Sequence, residues 1–137
     1  MTGNEYQKLA SRTNDGLATN RVLDKVKLNG FLKAVLPVEK SAKVWDCGGV
    51  LNACLGLSGE VGELNDMVKK WVFHEKALDE VHLKKELGDV MWYVAMVCQS
   101  MGWELDEILQ MNIDKLIARY PEGFDVDKAN NRQEGDV

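Results

Sequence analysis

Proline is nearly absent from this chain. Two residues in 137, Pro37 and Pro121, leave no proline between Val38 and Tyr120, so nothing there removes a helical N–H or forces a break. Cysteine is scarce as well. Cys47, Cys54 and Cys98 form an odd set with no CxxC pair and no Cys/His cluster, which argues against both a disulfide framework and a zinc site. No apolar run approaches the ~18 residues of a membrane-crossing helix, and the start, MTGNEYQKLA, is too polar for the apolar middle of a signal peptide. Positive charge is outweighed, with 17 Lys plus Arg against 22 Asp plus Glu and a formal net charge of −5. That balance disfavours duplex nucleic acid as a partner, because such binding rests on neutralising phosphates. A cytoplasmic, reducing setting with no membrane partner is expected. What is present is apolar material: 45% of residues by the AVILMFWYC count, enough to build a core in a chain of one-domain length.

The apolar spacing is helical. Val50, Cys54, Leu57, Val61, Leu64 and Val68 recur in steps of four and three, and Leu83, Leu87, Val90, Val94, Val97 and Met101 repeat the pattern. These are the seams of two long amphipathic helices. The stretch 72–79 breaks the phase and reads as their connection, with Asp79 as N-cap of the second helix and Gly102 as its stop. A third helix is expected over 105–118, with Ile108, Met111 and Lys115 on one side, ended by Pro121 and Gly123. Shorter helices are expected at 4–11 and 22–35, and loops at 14–19, 37–41 and Gly48-Gly49. Strand alternation is not found. The fold expected is therefore all-α: an antiparallel bundle of four to five helices forming a single domain over 1–125, with a polar tail at 126–137. Cys54 and Cys98 are expected in the core, and His74 and His82 in loops or on the surface.

The sharpest feature lies beside the seams. The first long helix carries Glu60-Val61-Gly62-Glu63 and the second carries Glu86-Leu87-Gly88-Asp89. Each pair is spaced three apart, which places both carboxylates on one helix face. Each precedes its seam by one position, a step of about 100°, so the acids flank the buried stripe. Each also encloses a glycine, which costs a helix interior roughly 1 kcal/mol relative to alanine and calls for close packing or ligand approach as its reason. In an antiparallel hairpin the two pairs fall at overlapping heights. Four facing carboxylates repel unless protonated or paired with cations. An all-oxygen set suits a hard cation, Mg²⁺ or Mn²⁺. Paired acids at this spacing are ordinary on solvated helices, but two matched pairs in register are not.

At these residues the sequence resembles the MazG-like all-α nucleoside triphosphate pyrophosphohydrolases, whose signature is an ExxE pair followed by ExxD. Leu57 to Leu64, Lys69-Lys70, Phe73-His74, Glu86 to Tyr93 and Arg119 to Phe124 look like family blocks in family order. They fall within residues 51–125, and Glu5-Tyr6-Gln7 resembles the family's N-terminal helix. The segment 14–49 looks like an insertion, and Glu75 stands where many members carry glycine. The resemblance implies Mg²⁺-dependent hydrolysis of a nucleoside triphosphate to monophosphate and pyrophosphate, serving nucleotide-pool control or sanitation. It implies metal binding by Glu60, Glu63, Glu86 and Asp89, with Glu60 or Glu63 accepting a proton from water. It also implies a homodimer or homotetramer associating through helix faces.

Cations are needed for a triphosphate in such a pocket. Lys70 follows Glu63 by seven residues on the acidic face, and Asn112, Lys115 and Arg119 share a face of the third helix; Lys70, Lys115 and Arg119 are the expected phosphate contacts. Tyr6, Trp45, Trp71, Trp92 and Tyr93 are possible base platforms, with Asn112 as a polar base contact. Two rival readings remain. A di-iron carboxylate bundle wants two Glu-x-x-His motifs, and this chain has none. A non-enzymatic helical interaction module would use the same seams for oligomerisation and the acids as solvated surface.

Overall fold

The computed structural model describes residues 1–27 and 46–131. Among the described residues there is no strand, and the helices run α1 (Gly3–Ala10), α2 (Ala18–Lys27), α3 (Cys47–Phe73), α4 (Glu80–Met101), α5 (Leu105–Arg119) and α6 (Val126–Asn130), with a 3₁₀ turn at Ser11–Thr13. The all-α expectation holds. None of these helices is long and apolar enough to cross a membrane.

The framework is an antiparallel hairpin of α3 and α4. Its caps are the ones the sequence announces. The Asp79 carboxylate accepts the His82 N–H at 2.9 Å, and Gly102 closes α4 at φ +65°, a left-handed conformation that costs glycine little. The core sits at the end of the hairpin away from the connection, around Ala53, Ala95, Met96, Cys98 and Leu105, with Tyr6, Trp92, Tyr93 and Ile108 packed against them. α1 is held across this end by amides rather than by bulk. The buried Gln7 side chain donates to the Trp103 carbonyl and accepts the Leu105 N–H, each at 2.9 Å. Asn4 accepts the Asp106 N–H at 2.8 Å. Together they satisfy donors at the start of α5 that the helix itself leaves open.

Several expectations need correction. Gly48 and Gly49 are not a loop: they are buried in the first turn of α3. A Cβ at Gly48 would overlap the backbone of Ala18 and Thr19, and one at Gly49 would overlap the Ser100 hydroxyl and the Asp46 carboxylate. Close approach of α2 and α4 is what demands glycine here, and Asp46, accepting the Gly49 N–H at 3.0 Å, supplies the cap. The expected loop at 14–19 gives way to α2 at Ala18. The expected helix at 22–35 is observed as far as Lys27; its remainder, the 37–41 loop and Trp45 lie outside the described residues. In the tail, Asp125 caps the short α6 through the Lys128 N–H.

The seam is rotated as well. The α3 face turned to α4 carries Ala53, Gly56 and Glu60, one position before the anticipated stripe. Tyr93 lies where a Cβ on Gly56 would be. Val61, Val68 and Leu87 are exposed instead, as are Leu51 and Leu55, and Cys54 is exposed, not core. Small residues let two helix backbones approach, whereas the spacing of large apolar residues marks only a flank of that contact. Cys98 is buried as expected, and burial raises its thiol pKa.

Candidate active site

Three of the four acids meet where the hairpin leaves the core. Glu60 and Glu63 project from the middle of α3, Glu86 from the second turn of α4, and each offers an oxygen within 4.8 Å of the others. Glu86 is only 8% exposed, while its apolar neighbour Leu87 is 53% exposed. Glu86 therefore occupies the helix–helix contact that the sequence assigned to the seam, while Glu63 is exposed beside it. Asp89 stands outside the set of three. It is exposed, and its charge acts on Glu60 and on Tyr6.

Crowding has the expected electrostatic consequence. The Glu60 carboxyl is pushed above its ordinary pKa, first by desolvation, then by the charges of Glu63, Asp89 and Glu86 and a hydrogen bond with Glu86. A group that resists ionisation because anions surround it is a group that a cation would relieve. The donors are all oxygens and include a nearly buried carboxylate, the chemistry that Mg²⁺ or Mn²⁺ prefers. The residues present fit such an ion.

Beside this cluster, toward the α3–α4 connection, lies a cavity of about 450 Å³. Glu63 and Glu86 form its inner end; Lys70, Lys76 and His82 lie toward the connection. Lys70 is ion-paired with Asp66 one helical turn back. His82 is exposed, as expected, yet its Nε2 lies 2.7 Å from Glu86 Oε1. Sequence reading set this histidine aside as surface; its i, i+4 spacing from Glu86 was the available signal. Lys76 was missed altogether.

Glycines in and beside the acid motifs have no packing reason among the described residues. A Cβ at Gly59, Gly62 or Gly88 would meet nothing within 4 Å, in contrast to Gly56 and Gly48. Gly59 and Gly62 line the cavity.

The other anticipated contacts are dispersed. Lys115 and Asn112 are exposed on α5, which packs on α1, and neither they nor Arg119 line the cavity. Arg119 lies over the Tyr120 ring, 5.9 Å from its centroid. Trp92 donates to Thr13 Oγ1 at 2.8 Å and meets Tyr93 edge-on at a centroid distance of 4.8 Å, so both rings serve the core contact. Trp71 is half exposed. Tyr6 is the aromatic nearest the acids in effect. Its hydroxyl donates to the Gly88 carbonyl at 3.4 Å, and burial and the Asp89 charge raise its pKa.

Comparison with known proteins bears on this same segment. The family model of the MazG nucleotide pyrophosphohydrolase domain matches residues 50–124, a span that contains all four acids and begins just after the 14–49 segment. The "Gene 37 protein" of Mycobacterium phage L5 is 36% identical over 90 residues, covering 61% of this chain and 77% of that protein. No solved structure matches.

Proposed function

Since the chain belongs to the MazG nucleotide pyrophosphohydrolase family, we propose that it hydrolyses a nucleoside triphosphate, with Mg²⁺, to the monophosphate and pyrophosphate. The observation that carries this reading is the convergence of Glu60, Glu63 and Glu86 within 4.8 Å, from two helices, inside the family-matched segment. These three would hold the ion, with Asp89 completing the set from the far side of Glu60. When bound, Mg²⁺ supplies charge for the phosphates and lowers the pKa of a water that attacks the α-phosphorus. Glu60 or Glu63 would take the proton of the attacking water. Glu86, fixed between α3 and the His82 imidazole, keeps the cluster in place. The small Gly59 and Gly62 leave the approach open. Mn²⁺ is a substitute with the same donor preference.

We infer a role in nucleotide-pool control or sanitation, in the cytoplasm, as the use of that chemistry. Association into a homodimer or homotetramer is supported by exposed apolar residues on α3 and α5, among them Leu55, Ile113 and Ile117. Lys115 and Arg119, remote from the cavity of their own chain, remain candidate phosphate contacts in such an assembly, with Trp71 and Tyr6 as candidate base contacts. The interaction-module reading shares these apolar faces but leaves the crowded carboxylates unexplained.

The test is a screen of ordinary, deoxy and damaged nucleoside triphosphates with Mg²⁺ or Mn²⁺, identifying the phosphorus products. Pyrophosphate should appear with wild type. Glu63→Gln and Asp89→Asn should reduce its release by about 10²-fold or more, the scale of lost metal and base assistance. Wild type no faster than both variants on every substrate would refute hydrolysis.

A further inference from the structure

A second cavity, of about 290 Å³, lies at the packed end of the hairpin. Three parts of the chain line it: Ser11, Asn14 and Gly16 between α1 and α2, Asp46 at the cap of α3, and Gln99 and Ser100 in the last turn of α4. At 1.5 Å per residue, Asp46 lies about 21 Å from Glu60 along the helix axis. This place is separate from the acids. Its volume is at the small end for organic ligands, which excludes a nucleotide.

The charge of the lining is simple. Among the described residues it holds no hydrophobic side chain and no lysine, arginine or histidine. Asp46 is its one carboxylate. The neighbouring Asp15 is ion-paired with Arg21 and adds no net charge. Two helix ends also meet here. The start of α3 brings about half a positive charge beside Asp46, and the end of α4 about half a negative one beside Ser100. These offset each other, and the cavity is left with about one negative charge.

One group in it is unsatisfied. Ser100 is only 7% exposed, and its Oγ is buried without a hydrogen-bond partner, a costly state for a hydroxyl. Its surroundings are fixed. The Asp46 N–H donates to the Ser100 carbonyl at 3.1 Å, and the Asp46 carboxylate accepts the Gly49 N–H at 3.0 Å and the Thr19 hydroxyl. A Cβ at Gly49 would strike both Ser100 Oγ and the Asp46 carboxylate, so hydroxyl and carboxylate stand side by side. Across the cavity, Asn14 Oδ1 accepts the Gly16 N–H at 3.0 Å, and Ser11 Oγ donates to the Lys8 carbonyl at 2.9 Å. A serine whose proton is spent, an amide oxygen and a carboxylate all keep lone pairs for a further partner.

That charge selects the ligand. An anion is repelled, a neutral molecule leaves the carboxylate unpaired, and a divalent ion overcompensates it. A monovalent cation brings the cavity to neutrality. It also gives the Ser100 oxygen a partner, since serine χ1 has three staggered positions through which the hydroxyl can turn.

We propose that this cavity binds one monovalent cation, an alkali ion or the ammonium head of a small amine, held by Asp46 and Ser100 and tying the 11–16 segment to the α3–α4 hairpin. The site is independent of the hydrolase reading, and stability measures it. Thermal unfolding of the full chain is followed without divalent ions in potassium, sodium, methylammonium and choline chloride at equal ionic strength. Choline is the reference, because its methylated head offers neither a bare ion nor an N–H. Wild type should melt about 2–5 °C higher in at least one of the other three salts, the scale for a ligand at roughly ten times its Kd. A response to potassium or sodium identifies an alkali ion, and a response to methylammonium alone identifies an amine. Asp46→Asn keeps a capping oxygen and should lose the increment. Ser100→Ala should melt no lower than wild type in choline, because it removes an unpaired hydroxyl, and should lose most of the increment. Equal melting of wild type in all four salts overturns the site, as does the same increment in both variants. A Ser100→Ala protein that melts below wild type in choline and keeps the increment gives the hydroxyl an internal partner and overturns it too. A larger rise with Ca²⁺ that Asp46→Asn abolishes overturns the monovalent assignment.

Discussion

The two ends of the α3–α4 hairpin use the same pair of helices for opposite purposes. At the end near α1 the contact is made of Ala53, Gly56, Ala95, Met96 and Cys98, closed by the Tyr93 ring and tied down by the amides of Asn4 and Gln7. At the other end the same helices face each other with Glu60, Glu63 and Glu86, and a cavity replaces the core. One end lets backbones touch by removing side chains; the other keeps like charges together that would separate if the first end did not hold. Packing is concentrated at one end, and the crowded carboxylates lie at the other.

Perturbing each end separately sharpens that division. The largest effect belongs to the packed end. Leu105→Ala, at a side chain 1% exposed, should cost about 2–5 kcal/mol in chemical denaturation while leaving Mn²⁺ affinity of the folded protein unchanged; a loss of metal binding in parallel would show that the two ends are not separable. Next comes the glycine between the acids. Gly62→Ala meets open space and should stabilise α3 by up to about 1 kcal/mol, yet raise KM for the triphosphate by narrowing the cavity. A variant that is both more stable and fully active would remove the case for ligand approach at this position.

The smallest effect is that of pH on the metal-free protein. The raised pKa of Glu60 means that the native state holds its proton more tightly than the unfolded chain. Stability therefore falls as pH rises through the folded-state value, and at neutral pH the ionised group opposes folding. Glu60→Gln should raise the neutral-pH Tm slightly without metal, flatten its dependence across the carboxylate range, and lose the further rise that Mg²⁺ gives wild type. A lower Tm for the variant in metal-free buffer would show that Glu60 contributes packing or hydrogen bonding that outweighs its repulsion.

Much of this was legible beforehand. Two long helices, their antiparallel register, the Asp79 cap and the Gly102 stop follow from period, punctuation and rise per residue, because each is local to one or two elements; of the four acids expected across one groove, Glu60, Glu63 and Glu86 come together and Asp89 does not. Gly48 and Gly49 were misread because the reason for them lies in α2 and α4, not in their own neighbours. The seam was placed one residue late because large side chains were counted, whereas Gly56 and Ala53 carry the contact. Lys76 was passed over although the residue before it gave a signal: Glu75, at φ +52°, stands where many members of the resembled family carry glycine, the residue that takes a left-handed conformation at least cost.

The amino-acid sequence alone determined that the chain is helical, acidic, free of membrane-length apolar runs and provided with an acid pair on each of two long helices, since helical period and local caps are properties of short segments. Tertiary structure decided which helix face is buried, that Glu86 is enclosed while Leu87 is not, and that a cavity lies next to the carboxylates. Those outcomes depend on how closely two backbones can approach and on where a turn redirects the chain, and both are settled by contacts between residues far apart in sequence.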